Sequence, residues 1–249
     1  MAMFDHREWI DILCRAEEGD HQAMIGVITA IMADSEEERF NSQPIQEKYW
    51  EYLKILTEAG DPLAYIWMGN EYEHGHHVKK DGNKALECYQ KAVEAGEKFG
   101  YECMALIYYY GRLVPSDYKK AYELFMKSGR RRSNAARFAL GEMRCKGLYL
   151  EQSDQKACYY YKQITSGTDS FNKQEAYYWP ACYRLGVAKH YGKGTGKNPL
   201  EARQLMMDAL KYYYDKHPDN PRDTWVTEIT RADIEKELAL IDAELKWAL

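Results

Sequence analysis

The fold is decided by residues 60–96, which read GDPLAYIWMGNEYEHGHHVKKDGNKALECYQKAVEAG. Near its start, Asp61 can cap a helix and Pro62 is tolerated in the first turn of that helix. Apolar and small residues at helical spacing predict one helix over about 62–74 and a second over about 83–95, with GHHVKKDGN as the turn between them. The stretch therefore predicts a helical hairpin, whose two helices we call A and B.

Three unrelated residue types recur at an interval of 36 residues. They are Gly75, Gly111 and Gly147, then Lys84, Lys120 and Lys156, and finally Ala85, Ala121 and Ala157. In-phase recurrence at such an interval indicates a repeat array. Stacked repeats present a long surface rather than one deep cavity, so the pattern favours a binding module over a compact enzyme.

Small residues inside the predicted helices indicate close packing. Gly69 costs its helix about 1 kcal/mol relative to alanine, so we expect a neighbouring helix to approach it closely. Ala85 and Ala92 give the same expectation for helix B. Pairs packed this tightly bury a continuous core only when they are stacked, so each repeat needs its neighbours.

The repeat continues on both sides of the quoted hairpin. Further units are predicted over about 97–132 and 133–168, and another follows a nine-residue insertion around TSGTDSFNKQ. A degenerate unit precedes them, and a last amphipathic helix is predicted over about 224–247. The predicted divisions are an N-terminal capping helix in 1–19, an array of about five units in 20–213 and a C-terminal capping helix in 214–249.

Composition narrows the class of function. The 249-residue chain is 45% hydrophobic and carries a net charge of −5, which argues for a globular protein and against a strongly basic nucleic-acid binder. No stretch approaches 18 consecutive apolar residues, and the start lacks the features of a signal peptide, so we expect no membrane span and a cytoplasmic location. The six cysteines follow no regular spacing and are expected to be free thiols.

The best unit also carries a motif: Ala64-x3-Met68-Gly69-x2-Tyr72-x2-Gly75-x2-Val78-x2-Asp81-x2-Lys84-Ala85-x3-Tyr89-x2-Ala92. This motif closely resembles the Sel-one-like repeat (SLR) family, a relative of the tetratricopeptide repeats, and the resemblance covers about 20–213. It implies an all-α fold, a right-handed α-solenoid of antiparallel helix pairs with helix A of each unit on the concave face. It also implies an adaptor that binds proteins or peptides.

One branch of that family is secreted, and a disulfide joins helices A and B of each unit; β-lactam binding and hydrolysis have been attributed to it. This chain departs from the pattern, because only Cys182 falls at the helix A position and Leu210 stands where its partner would be. A hydrolase acting on a β-lactam or cell-wall-like substrate therefore stays an alternative from another class. An inhibitor or immunity-type protein that occludes an enzyme is a second alternative, suited by the acidic ends of the chain.

The inward positions of tetratricopeptide helix A carry over to a candidate binding face. They are Ile66, Asn70 and Glu73, then Glu102, Leu106 and Tyr109, then Phe138, Glu142 and Cys145, and last Tyr183, Val187 and His190. This mixture of aromatic, carboxylate and amide groups suits a groove for an extended or helical peptide. The alternative is that many of these side chains only pack between helices.

Charge is unevenly spread along the chain. Residues 1–60 carry a net charge of −8, from 13 acids and 5 bases, whereas residues 97–166 carry +6, from 13 bases and 7 acids. The basic group includes Arg130 and Arg131, and arginine favours carboxylate and phosphate partners. An acidic partner docking there is one hypothesis, and a solvated turn is the other.

Other motifs in the sequence carry little chemistry. His74, His76 and His77 cluster in the turn of the best unit, but the family turn already explains that segment, and no metal site is expected. GKGTGK at 192–197 lacks the spacing and the Ser or Thr of a phosphate-binding loop, so no nucleotide cofactor is expected. No recognisable catalytic motif occurs. The sequence therefore predicts a non-enzymatic adaptor that binds a protein or peptide partner, with no nucleic acid and no membrane involved.

Overall fold

The computed structural model describes residues 6–33, 42–111, 113–128, 133–166, 176–216 and 228–247. Over these ranges the chain forms α-helices and no strand, so the predicted all-α class is confirmed. The chain divides into two compact units, Met1–Gly129 and Arg130–Leu249.

Unit 1 contains seven helices within its described residues. They are α1 (His6–Glu17), α2 (His21–Ala33), α3 (Gln43–Glu58), α4 (Pro62–His74), α5 (Gly82–Glu94), α6 (Phe99–Tyr110) and α7 (Tyr118–Lys127). Each helix packs against the next one along the chain. A buried cluster joins α1 to α4 and includes Trp9, Val27, Leu53 and Leu56, so the degenerate first pair shares one core with the repeat after it.

Unit 2 contains five helices in the part that the structure describes. They are α8 (Asn134–Lys146), α9 (Asp154–Thr165), α10 (Tyr178–Tyr191), α11 (Pro199–Lys216) and α12 (Arg231–Trp247). Phe138, Tyr161 and Leu185 lie in a core that joins α8, α9 and α10. A second core joins α10 and α11 to α12 through Met206 and Ile241, so the last helix closes the end of the stack.

Helix A ends in the same way in each of the four repeats from α4 to α11, which explains the recurring glycines. Gly75, Gly111, Gly147 and Gly192 each follow a helix A with φ between 64° and 76°, a left-handed conformation that glycine adopts at little cost. In each repeat the first residue after the turn then donates its backbone N–H to a carbonyl nine residues earlier. These bonds run from Asp81 to Tyr72, Asp117 to Tyr108, Ser153 to Arg144 and Asn198 to Lys189.

The same residues that close the turn also start helix B. The side chains of Asp81, Asp117, Ser153 and Asn198 each accept a hydrogen bond from a backbone N–H in the first turn. Such N-caps stabilise a helix by about 1 kcal/mol each. Since both bonds come from one residue, each turn fixes the length of its helix A and the start of its helix B together.

The predicted close approach at Gly69 is confirmed. A Cβ added there would lie 2.4 Å from Cε1 of Tyr89 on α5, and one added at Gly141 would lie 2.6 Å from Cε1 of Tyr161 on α9. The glycines therefore allow the ring of helix B to lie directly on the backbone of helix A. This contact, repeated along the chain, sets how closely each pair packs.

Some predicted boundaries differ from the observed ones. The last helix was expected from about residue 224, but residues 228–230 are not helical and α12 begins at Arg231. The reason is a capping box, in which Thr230 and Asp233 exchange backbone and side-chain hydrogen bonds. The acidic run at 35–38, most of the nine-residue insertion, and the side chain of Trp247 lie outside the described residues.

Candidate functional site

The predicted binding residues lie on four A helices, α4 and α6 in unit 1 and α8 and α10 in unit 2. Six of them are buried: Ile66, Glu102, Tyr109, Phe138, Glu142 and His190. The other six are half-buried: Asn70, Glu73, Leu106, Cys145, Tyr183 and Val187. The half-buried side chains keep part of their surface exposed, whereas the buried ones are enclosed by the helix packing.

In unit 1 the half-buried polar pair is held by a tyrosine of helix B. The hydroxyl of Tyr89 lies 2.7 Å from Oδ1 of Asn70 and 2.9 Å from Oε2 of Glu73. A hydroxyl has one proton, which it donates to the carboxylate of Glu73. It accepts a hydrogen bond from Asn70 when the terminal amide of that side chain is rotated by about 180° to present its NH₂ group. Burial, followed by the charge of Glu73, raises the pKa of Tyr89 and keeps this phenol protonated.

The same positions change together from one repeat to the next. Where helix B carries Tyr89 or Tyr161, the helix A residue that directly follows the small residue Gly69 or Gly141 is polar, namely Asn70 or Glu142. Where helix B carries Phe125 or Met206, the equivalent residues are Leu106 and Val187. All four of these helix B residues are buried. A polar residue on this face is therefore matched to a hydroxyl beneath it.

In unit 2 the matched carboxylate is the centre of a larger network. Glu142 accepts a hydrogen bond of 2.6 Å from the hydroxyl of Tyr161 and two bonds, of 2.8 and 2.9 Å, from the guanidinium of Arg184. Lys146, one turn along α8, adds an ion pair of 2.9 Å. These contacts join α8 to both α9 and α10, so Glu142 links one repeat to the next.

Electrostatics at Glu142 favour the ionised form. Burial alone would raise the pKa of this carboxyl, but the charge of Arg184, the hydroxyl of Tyr161 and the ammonium of Lys146 together lower it below the ordinary value. A buried carboxylate is stable only when it is paired and hydrogen-bonded in this way. Its chemistry is thus committed to holding helices together.

A second buried carboxylate, Glu71, escaped the sequence reasoning. Its oxygens accept a bond of 2.8 Å from the hydroxyl of Tyr49 and lie 3.0 Å from Nδ1 of His77, whose ring stacks on Trp50. A signal for it exists, because the equivalent residues in the later repeats are Ile107, Met143 and Ala188. One charged residue in a column of apolar ones indicates a dedicated partner.

The histidine cluster is used for packing. His77 contacts Glu71, while Nδ1 of His74 lies 2.9 Å from the carbonyl of Asn70 and its ring stacks on His76. Among the described residues, no three His, Cys, Asp or Glu side chains converge as a metal site requires. The GKGTGK segment forms the last repeat's turn, where Gly194 packs against the backbone of Asp154.

His190 lies under the C-terminal helix. It is buried at the end of α10, with Nδ1 2.6 Å from Oε1 of Glu237 and Nε2 3.0 Å from Oε2 of Glu244. Lys197 forms an ion pair of 2.8 Å with the same Glu244. The sequence marked His190 as a face residue, but nothing in it located these two partners.

Two arginines of the basic segment, Arg130 and Arg131, lie outside the described residues. Nearby, Arg137 is half-buried and donates a bond of 3.1 Å to Oδ1 of Asn134 on its own helix.

In the same unit, an open groove of about 530 Å³ lies over Leu185 and Leu205, between α9 and α11, with Tyr159 and Lys162 on its wall.

Burial makes the thiols of Cys88, Cys145 and Cys158 less nucleophilic. All six cysteines lie among the described residues and are free thiols. Burial raises the pKa of Cys88 to about 11, and burial also raises the pKa of Cys145 and Cys158. A thiol with a raised pKa is protonated at neutral pH and is a poor nucleophile, so these three side chains favour a packing role.

Comparison with known proteins decides the family. The Sel1 repeat model matches residues 62–97, 104–131, 134–169 and 179–206, which together make up just over half of the chain. The chain belongs to the Sel1 repeat family. Members of this family generally act in protein–protein interaction and are typically non-enzymatic scaffolds. The predicted resemblance is confirmed, and the four matched stretches correspond to α4–α5, α6–α7, α8–α9 and α10–α11.

Three solved structures show the same fold at low identity. A Sel1 repeat protein from Oxalobacter formigenes is 20% identical, with a TM-score of 0.52 over 67% of this chain and 66% of that one. The protective antigen c5321 of uropathogenic Escherichia coli, which has an SLR fold, is 19% identical, with a TM-score of 0.61 over 94% of this chain and 47% of that one. A putative Sel1 repeat protein from Klebsiella pneumoniae is 18% identical, with a TM-score of 0.51 over 93% and 98%.

These matches bear on the fold alone. The chain spans about two thirds of the Oxalobacter protein and about half of c5321. No curated protein sequence matches it. Within the described ranges, no helix is both long enough and apolar enough to cross a lipid bilayer.

Proposed function

We propose that this Sel1 repeat protein is an adaptor that binds a protein or peptide partner through the helix A face of its repeats. The observation that carries the proposal is the layering of this face. The half-buried side chains of Asn70 and Glu73 rest on the buried hydroxyl of Tyr89, whose hydrogen bonds fix their positions. Side chains held before binding lose less conformational entropy when a partner docks, so such a face is suited to recognition.

The face offers different chemistry in each unit. In unit 1 it combines the amide of Asn70 and the carboxylate of Glu73 with the apolar Leu106 on the next helix A. In unit 2 it presents the ring of Tyr183 and the side chain of Val187. A partner segment with apolar anchors and a few hydrogen-bond donors fits this combination.

The proposal is tested by partner capture with matched variants. The wild-type chain is used to capture binding proteins from the native cell extract, which are identified by mass spectrometry. Leu106→Arg and Val187→Arg place a charge on the helix A face, and Met207→Arg does so at an exposed position of helix B. We expect the first two variants to lose the captured partner at least tenfold while Met207→Arg keeps it, with folding checked by circular dichroism. Equal capture by all three variants would contradict the proposal.

An acidic partner would use the basic segment as well. The hypothesis of an acidic partner is motivated by the excess of bases in residues 97–166, which includes Arg130 and Arg131. Arg131→Glu should then weaken binding of the captured partner and flatten the dependence of its affinity on salt. If the affinity and the salt slope are both unchanged, this segment takes no part in binding.

The alternative function, a secreted hydrolase, can be tested directly. We infer a reducing compartment, such as the cytoplasm, because the six thiols follow no disulfide pattern. The purified native protein is unfolded without reductant and its thiols are then titrated. We expect six free thiols. Disulfides, or turnover of a chromogenic β-lactam, would support the hydrolase instead.

A further inference from the structure

The contact between His190 and α12 involves both nitrogens of the imidazole ring. Both ring nitrogens of this buried imidazole lie within hydrogen-bonding distance of a carboxylate, at 2.6 Å for Glu237 and 3.0 Å for Glu244. The two glutamates are seven residues apart on α12, so they lie two turns apart on one side of that helix. Helix α12 thus holds the ring at both ends.

When both glutamates are ionised, only one protonation state of the ring satisfies both contacts. A neutral imidazole has one N–H donor and one nitrogen lone pair, whereas an ionised carboxylate has only acceptors. In the neutral state one nitrogen would direct its lone pair at a carboxylate oxygen, which is repulsive. The imidazolium ion has two N–H donors and bonds to both glutamates.

The surrounding charges favour the ionised form of Glu244. The hydrogen bond from Lys197 is the main cause that lowers the pKa of Glu244, and His190 lowers it further. The ring of Tyr191 lies 4.4 Å from that of His190 and carries the ammonium of Lys193 at 5.8 Å. The other charged or titratable groups near this contact are Asp233 and Tyr183 beside Glu237, Arg184 near Asp233, the ion pair of Lys189 with Glu201, and that of Arg203 with Asp242.

Helix α12 covers apolar surface of the last repeat. Ile234 and Ile241 on α12 are fully buried in a cluster that also contains Met206 and Trp179. Polar contacts to α10 and its turn come from Glu237 and Glu244 in the described residues. The charge of His190 therefore acts at the point where α12 is joined to the repeat before it.

We propose that protonated His190 latches α12 onto the last repeat, and that loss of this proton loosens the helix. The direction follows from the hydrogen bonds. The imidazolium ion donates to both carboxylates, whereas the neutral ring can donate to only one, so loss of the proton removes one charged hydrogen bond. Docking of α12 is thus tighter under mildly acidic conditions than under mildly alkaline ones.

Hydrogen–deuterium exchange of the whole chain tests the latch. Exchange in α12 is compared at about pH 5.5 and 8.5 after correction for the intrinsic rates, on either side of the ordinary histidine range. We expect α12 to open about tenfold more often at the higher pH, in line with the loss of one charged hydrogen bond. His190→Gln should abolish this difference, while the exposed His21→Gln should retain it.

A second variant keeps the test informative if His190→Gln folds poorly. In Glu244→Gln, the side-chain amide can donate to the unprotonated nitrogen while the other nitrogen donates to Glu237. This variant should therefore hold α12 closed at the higher pH. Corrected exchange in α12 that does not change with pH in the wild type, or that still changes in His190→Gln, would overturn the proposal.

Discussion

Small residues on helix A decide how closely each helix pair can pack. A side chain at Gly69 would overlap the ring of Tyr89, which is fully buried and is held by Asn70 and Glu73. Because both ends of the ring are constrained, it cannot move aside cheaply. The packing distance of the pair is therefore fixed by one residue on each helix.

Gly69→Ala should consequently destabilise the protein. Overpacking costs about 1–3 kcal/mol, and the gain in helix propensity returns about 1 kcal/mol, so we expect a net loss on the order of 1 kcal/mol. Gly26→Ala is the matched control, because a Cβ there meets only Ile12 at an ordinary 3.7 Å. It should leave the urea midpoint unchanged or raise it. Equal midpoints for the two variants would show that the contact does not set the packing.

The matched polar pairs give a second prediction at this scale. Phe125→Tyr places a hydroxyl where Leu106, in the position equivalent to Asn70, cannot accept it, and should cost about 1–3 kcal/mol. Adding Leu106→Asn should restore about 1 kcal/mol by re-creating the pair found at Tyr89. A double-mutant cycle from urea unfolding measures this coupling. A coupling energy of zero would mean that the two positions vary independently.

At the scale of the elements, two kinds of contact join the helices. Within a repeat, the glycine that ends helix A and the residue that caps helix B fix the turn by backbone bonds. Between repeats, Glu142 on α8 binds Arg184 on α10. The first kind depends on residues close in sequence, whereas the second joins residues 42 apart.

The link between repeats should be sensitive to acid. Since the pKa of Glu142 is lowered in the folded state, its contribution is present above its ordinary value of about 4.5 and is lost as pH falls below that value. Glu142→Gln should lower the urea midpoint at pH 7 and make it less dependent on pH between 7 and 3.5. The exposed Glu151→Gln serves as the control and should behave as the wild type. The same acid dependence in all three proteins would contradict the assignment.

At the scale of the whole molecule, the sequence predicted the elements better than the site. The period of 36 residues located the A and B helices, and Asp61 and Pro62 marked the start of α4, because these signals are local. Partners across the fold were not predictable, since nothing near His190 points to Glu237, 47 residues further along. Burial of Glu102 and Phe138 was likewise invisible, because it depends on which helix packs over them.

The central claim is that the helix A face receives the partner, and hydroxyl-radical footprinting of the captured complex tests it most directly. Two tyrosines of unit 2 form a matched pair, Tyr183 on the helix A face and Tyr159 on helix B, of which Tyr159 is 60% exposed. We expect partner binding to slow oxidation of Tyr183 several-fold and to leave Tyr159 unchanged. Protection of Tyr159 with no change at Tyr183 would contradict the account.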